Sequence, residues 1–229
     1  RSSVRVSVHA AQGRLAVRYV MAPDQTRHPP LDREHLCQAV RDGDRLRYRL
    51  FYGHTGRADG KLSDAVFSQF WPCAFLLGTI RYRWAEQWMM ASKARLFADD
   101  DALGKVLQAG EPLACKRIGR QVRGFDEARW REHRFDLVTV GNVAKFGQDP
   151  GLREYLLGTG DEVLVEASPS DSIWGIGLGR EHKDAQDPLR WPRWLLYLLA
   201  VALSLATLEL RVSLGVPFEQ RMMLIVLMF

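Results

Sequence analysis

Residues 166–179, EASPSDSIWGIGLG, crowd two carboxylates, a proline, a tryptophan and three glycines into fourteen positions. Glycine and proline punctuate a chain, and aspartate and serine favour turns, so this is a shaped loop and not core-building sequence. The apolar VLV before it is a buried-strand candidate, which would deliver Glu166, Asp171 and Trp174 at a strand's carboxyl end. Gly175 and Gly177 would let backbone approach a ligand closely. A second chemical grouping lies upstream in YRWAEQWMMASKARLF (82–97), where Glu86, Met90, Lys93 and Phe97 fall at i, i+4, i+7 and i+11. That spacing is one face of a helix. A carboxylate can serve proton transfer, and a lysine on the same face can meet an anion. Further cations, Lys116, Arg117 and Arg120, cluster in KRIGR, and Lys145 stands in AKFGQ.

The elements that must position these groups can be read in order. LDREHLCQAV (31–40) suits a short helix with Asp32 as its N-cap, and RLRYRLFYGH (45–54) has the alternation of a strand. The stretch from Gly56 to Phe75 reads as a loop that dives back into the core. On the 82–97 helix, Trp84, Trp88 and Leu96 form a second apolar stripe, so burial on more than one side is expected. DDDALGKVLQAG and PLACKRIGRQV are short helices, the first with aspartate caps in front and Gly110 behind. Asp126 caps a longer helix through Phe146, and Asp149, Pro150 and either Gly158 or Gly160 repeat the cap, first-turn and exit grammar. The reading is an α+β fold, mainly helical, with a few short strands.

Composition sets looser bounds. The 229 residues carry a net charge of +5 and are 47% hydrophobic, enough for a real core. So small an excess over this length is a weak pointer to polyanions. Three scattered cysteines, Cys37, Cys73 and Cys115, argue against a disulfide framework and for a reducing compartment. No spacing suggests a metal site, and no cofactor is demanded. Residues 1–31 end in DQTRHPP and read as an extension and linker, 32–191 as the domain, and 192–229 as an apolar tail. The run WLLYLLAVALSLATL (194–208) is uncharged for fifteen residues, between the lengths of a buried helix and a bilayer span. A buried terminal helix is favoured over a membrane anchor. The expected location is the cytoplasm, with an organelle as the alternative on the basic N-terminal stretch. Oligomeric state is not legible.

From about Arg47 to Trp191 the chain resembles the NADAR or YbiA-like domain family. The resemblance rests on an ordered set of blocks: FYGH, FSQFWPCAF, AEQWMMASKARLFADD, KRIGRQVRGFD, VGNVAKFGQ, LLGTGDEVLVEASPSDSIWGIGL and DPLRW. It implies a YbiA-like domain and N-glycosidase activity on a phosphoribosylated or ADP-ribosylated substrate, with nucleic acid a partner only as an ADP-ribosylated substrate. Glu86, Trp130 and Asp171 match the family's active-site residues. Hydrolysis of an N-glycosidic bond builds positive charge at C1′ while the leaving nitrogen gains electron density. Glu86 and Asp171 are therefore expected as paired carboxylates, by analogy with O-glycosidases. Trp130 would supply an aromatic face, as would Trp174. Lys93, Arg120 and Lys145 are the expected phosphate cations, and Glu166 a residue orienting the site. The alternative is a binding module for ADP-ribose or NAD-type nucleotides that does not turn over. After DPLRW the family continues with a Trp/Gly/Asn turn and a helix, which this chain replaces by PRWLLYLLAVALSLATLELRVSL.

Overall fold

The structure is a computed structural model, which describes residues 33–171 and 174–192 together with the backbone of two strands near the N-terminus. The apolar run 194–208 and the rest of the 1–31 segment lie outside the described residues, as does the expected cap Asp32. The two strands, β1 (Arg5–Ala11) and β2 (Arg14–Val20), pair antiparallel from Arg5 opposite Val20 to Ala11 opposite Arg14. The alternation of RVSVH and RLAVRYV, where a linker was expected, accounts for that pairing. The remaining residues form two compact units, one of residues up to Leu50 with those from Thr159, the other Phe51–Gly158.

The first unit holds helix α1 (Arg33–Arg41) and strands β3 (Tyr48–Phe51) and β6 (Val163–Glu166). The two strands pair, with the Val163 amide donating to the Arg47 carbonyl at 2.7 Å. Leu36, Val163, Val165, Ala167, Ile176, Ala185 and Trp191 make one core, against which Tyr48 and Leu50 pack. The Arg33 guanidinium donates to the Pro188 and Pro192 carbonyls, each at 3.1 Å, and so ties residues 188–192 to α1. A cation that answers backbone carbonyls this way does for a loop what a cap does for a helix end.

The second unit is built around helix α2 (Ala85–Leu96), reached through a hairpin of β4 (Phe75–Leu77) and β5 (Ile80–Tyr82). Sequence reasoning ended a loop at Phe75, began a helix at Tyr82 and assigned nothing between, because strands of three residues are too short to show a period. Gly78 takes the positive φ, 62°, that the hairpin turn requires. A short 3-10 helix (Asp64–Phe67) precedes the hairpin. Around α2 stand α3 (Asp100–Gln108), α4 (Pro112–Gly119), α5 (Glu127–Gln148) and α6 (Pro150–Leu157). Their caps follow the sequence grammar. The side chains of Asp99, Asp126 and Asp149 accept from the amides of Ala102, Arg129 and Leu152 at 3.1, 2.7 and 3.0 Å. Each such cap is worth about 1 kcal/mol.

Every residue of α2 from Ala85 to Ser92 is buried, the two-sided burial expected of its double stripe. Two glycines set how closely its neighbours approach. A Cβ on Gly141 of α5 would lie 2.4 Å from Cδ1 of Trp88, and one on Gly119 of α4 would lie 1.9 Å from Sδ of Met90. Trp88 is further fixed by its indole N–H, which donates to the Leu137 carbonyl. Gly141→Ala should therefore destabilise the protein by about 1–3 kcal/mol despite the better helix propensity of alanine. Gly119→Ala should cost less, since the Met90 thioether can rotate aside where a tethered indole cannot. Urea unfolding of the two variants beside the parent checks the order.

Candidate functional site

Glu86 occupies the first turn of α2 and is 2% exposed. Helix N-termini leave amides without intrahelical partners, and a negative charge there is favoured by the helix dipole. The N-cap position, Trp84, offers no side-chain cap. Other groups do that work. The Glu86 amide donates to the Gln69 carbonyl at 3.0 Å, and the Gln87 side-chain oxygen accepts from the Arg83 amide at 2.9 Å. Gln69 is itself held by its amide, which donates to Oδ1 of Asn142 on α5 at 3.1 Å.

Two turns along, Lys93 shares this face, as its spacing predicted. Its ammonium sits 4.0 Å from the ring centre of Phe125 and 5.5 Å from that of Trp130. A cation over aromatic faces is attracted by the ring quadrupole. Burial pushes the Lys93 ammonium below its usual range, the negative charges of Glu127 and Glu86 hold it up, and Arg120 pushes it further down. Arg120 stands exposed at the C-cap of α4. Glu86, Lys93, Trp130 and Arg120 are thus gathered in one unit, and all were named from sequence. Phe125 was not. It is 42% exposed while Trp130 is 6% exposed, so of the two rings beside Lys93 it is the one open to solvent. The signal that could have found it is an aromatic in the turn RGFD, directly before a helix cap, where a core role is improbable. Lys116, 5.8 Å from the Phe70 ring centre, makes a second cation–aromatic contact in the same unit.

The Phe125 turn is anchored by Asp99. Its carboxylate caps α3, takes the Arg123 amide at 2.8 Å and the Arg123 guanidinium at 2.8 Å. Those donors, the Arg123 guanidinium foremost, hold the Asp99 carboxyl well below the usual carboxylate range.

Lys145 departs from its expected role as a phosphate cation. It is 0% exposed, and its ammonium donates to the Val66 carbonyl at 2.6 Å and the Ser68 carbonyl at 2.8 Å. A charge with no path to solvent and two backbone partners is an internal anchor. Its place in AKFGQ on α5 carried no sign of this, because which face of a long helix is covered depends on the packing.

The other expected residues lie in the first unit, on the loop after β6. The Asp171 amide donates to the Ser168 hydroxyl at 3.1 Å, and the Asp171 carboxylate accepts from the Trp174 amide at 2.8 Å. That closed Asx turn orients the carboxylate. Trp174 is buried, and the Glu166 carbonyl accepts from the Ile176 amide at 3.0 Å. Gly175 serves a purpose other than the expected one. A Cβ there would meet Cβ of Ser168 at 2.7 Å, the Asp171 carbonyl at 3.0 Å and the Glu166 carbonyl at 3.2 Å. The close approach it permits is of the loop to itself. Gly177, at φ 70°, supplies the left-handed turn that follows.

Among the described residues no group of three or more His, Cys, Asp or Glu is placed to hold a metal ion, and no helix is long and apolar enough to cross a membrane. Cys37, Cys73 and Cys115 are buried free thiols.

Two outcomes are expected. Gly175→Ala should open the 166–176 loop at a cost of about 1–3 kcal/mol, read as lower urea resistance and altered Trp174 fluorescence. Asp99 titrates below its unfolded value, so its stabilisation is complete above about pH 4 and is lost as pH falls further. Asp99→Asn should flatten that acid limb of the stability profile, measured by unfolding at pH 2–6.

Comparison with known proteins adds the following. Residues 50–193 match the model of the NADAR domain. The chain is 41% identical over 151 residues to N-glycosidase R617 of Acanthamoeba polyphaga mimivirus, covering 64% of this chain and 87% of that protein. It is 29% identical over 142 residues to Riboflavin biosynthesis protein VVA0006 of Vibrio vulnificus, covering 62% of this chain and 36% of that protein. The NMR structure of the Escherichia coli protein YbiA superposes with a TM-score of 0.50 at 21% identity, over 75% of this chain and 88% of that one, a likeness of fold.

Proposed function

The chain belongs to the NADAR domain family, and on that premise we propose that it is an N-glycosidase, hydrolysing the bond between a base and ribose. The observation that carries the reading is Glu86: a carboxylate almost wholly out of water, on a rigid helix that also carries Lys93, whose ammonium meets the rings of Phe125 and Trp130. Relatives named N-glycosidases support the bond type. The finer proposal is a substrate bearing phosphate, either phosphoribosyl or ADP-ribosyl, taken by Lys93 and Arg120. The riboflavin biosynthesis relative favours the phosphoribosyl form.

The chemistry needs two things at once. As the C1′–N bond lengthens, charge at C1′ must be stabilised and the departing nitrogen must receive a proton. Water then supplies hydroxide to C1′, and its remaining proton restores the carboxyl group that protonated the departing nitrogen, so the products are free base and the reducing sugar phosphate. Glu86 and Asp171 divide this work, one carboxylate stabilising C1′ and orienting water, the other passing the proton. Each sits on a braced element, a helix and a closed turn, which is what holding a reacting geometry requires. The exposed ring of Phe125 offers stacking to the base, worth about 1–3 kcal/mol for a base on an aromatic face, while Trp130, largely covered, lies against the Lys93 ammonium. Glu166 and Trp174 belong to the support of the Asp171 loop.

The test is a panel of phosphoribosyl and ADP-ribosyl N-glycosides offered to purified protein, scoring released base and reducing sugar. Glu86→Gln and Asp171→Asn should each lower turnover by roughly 10²–10⁴ while ligand affinity stays within a few-fold. The double variant should be little worse than either single, as expected of groups acting in one step. Ligand binding without turnover in the parent protein would establish the nucleotide-binding module instead.

A further inference from the structure

A lysine wholly removed from solvent needs a reason, because an uncompensated buried charge is expensive. Lys145 has no carboxylate in hydrogen-bond contact among the described residues. Its ammonium meets two backbone carbonyls, Val66 at 2.6 Å within the short 3-10 helix and Ser68 at 2.8 Å just after it. One residue further on, the Gln69 carbonyl accepts the Glu86 amide, and the Gln69 side chain is gripped by Asn142. Asn142 and Lys145 stand three apart on α5, hence on one face. That face therefore holds residues 66–69 at three points. What those residues present in turn is the carbonyl that replaces the missing cap of α2.

From this chain of contacts we infer that Lys145 is a positioning residue: by fixing the Val66 and Ser68 carbonyls it sets the Gln69 carbonyl against the Glu86 amide, and so fixes the first turn of α2 and its carboxylate. The inference rests on the glycosidase reading only for its effect on turnover. The structural link is independent of any substrate. Burial pushes the ammonium down to about 7 from an ordinary 10.5, because a site without water resists a charge. An aliphatic replacement would escape that resistance, so the fold gains little from the charge as such. The specific thing a charged donor provides here is direction.

Lys145→Met keeps the length of the side chain and removes its donors. Amide hydrogen exchange of Glu86 should accelerate at least tenfold in this variant, while the amides of Met89, Met90 and the middle of α5 keep the parent's protection. On the panel of N-glycosides the variant should lose turnover by tenfold or more with KM within twofold, since the carboxylate is displaced and the phosphate cations are not. Lys145→Arg, which restores donors, should recover part of the Glu86 protection. Equal acceleration throughout the unit, or an unchanged Glu86 amide, overturns the inference. If Lys145→Met does not accumulate folded, native-state exchange of the parent decides: the amides of Val66, Ser68 and Glu86 should open together with one denaturant dependence. Separate openings overturn it. A parent inactive on every glycoside would count against the glycosidase reading and leave the exchange result standing.

Discussion

A carboxylate held out of water has to ride on a helix whose own polar end is satisfied without water. That requirement governs the Phe51–Gly158 unit. The first turn of α2 has no side-chain cap, so its donors must be met by other parts of the chain. The Gln69 carbonyl takes the Glu86 amide, and Gln87 reaches back to the Arg83 amide and across to the Val106 carbonyl. Each of these partners is then fixed in its turn. Gln69 is held by Asn142, the segment before it by Lys145, and Arg83 by the Cys73 amide, which donates to its carbonyl. A buried polar network of this kind is stable only when its members are all answered.

Packing enforces the same arrangement from the apolar side. Gly119 and Gly141 bring α4 and α5 closer to α2 than any side chain would allow, with Met90 and Trp88 filling the space. The helix is left with little freedom to translate or rotate. Lys93, two turns from Glu86, is then placed against Phe125 and Trp130 by geometry that α2 and α5 share. Its partial burial and the opposed influences of Glu127, Glu86 and Arg120 make it a cation whose charge depends on its neighbours.

The loop carrying Asp171 in the other unit obeys a different constraint. There the backbone closes on itself through Ser168, Asp171 and Trp174, and Gly175 is the residue that permits the closure. The carboxylate is oriented by the turn in which it accepts the Trp174 amide. Substituting a glycine in such a loop acts on geometry, whereas substituting an acid acts on charge, and the two are separable in experiment.

Much of this was legible in the residues. Asp99, Asp126 and Asp149 announce helix starts because a short acceptor side chain before an apolar period has one favourable use. The Glu86–Lys93 face and the buried character of α2 follow from spacing alone, and the tight loop from its glycines and Asp171. These are local properties, fixed by covalent connectivity and a period of 3.6 residues. What escaped was decided by contacts between residues far apart in the chain. Whether Lys145 meets solvent or the Val66 carbonyl depends on which side of α5 the 3-10 segment lies. Whether Gly175 admits a ligand or its own loop depends on how the turn closes. That Phe125 is exposed and Trp130 covered depends on how the turn held by Asp99 and Arg123 and the helix after it pack against α2. The sequence determined which groups could do chemistry and the elements that carry them; the tertiary structure alone decided which of them face open space, because burial is a property of the neighbours and not of the residue.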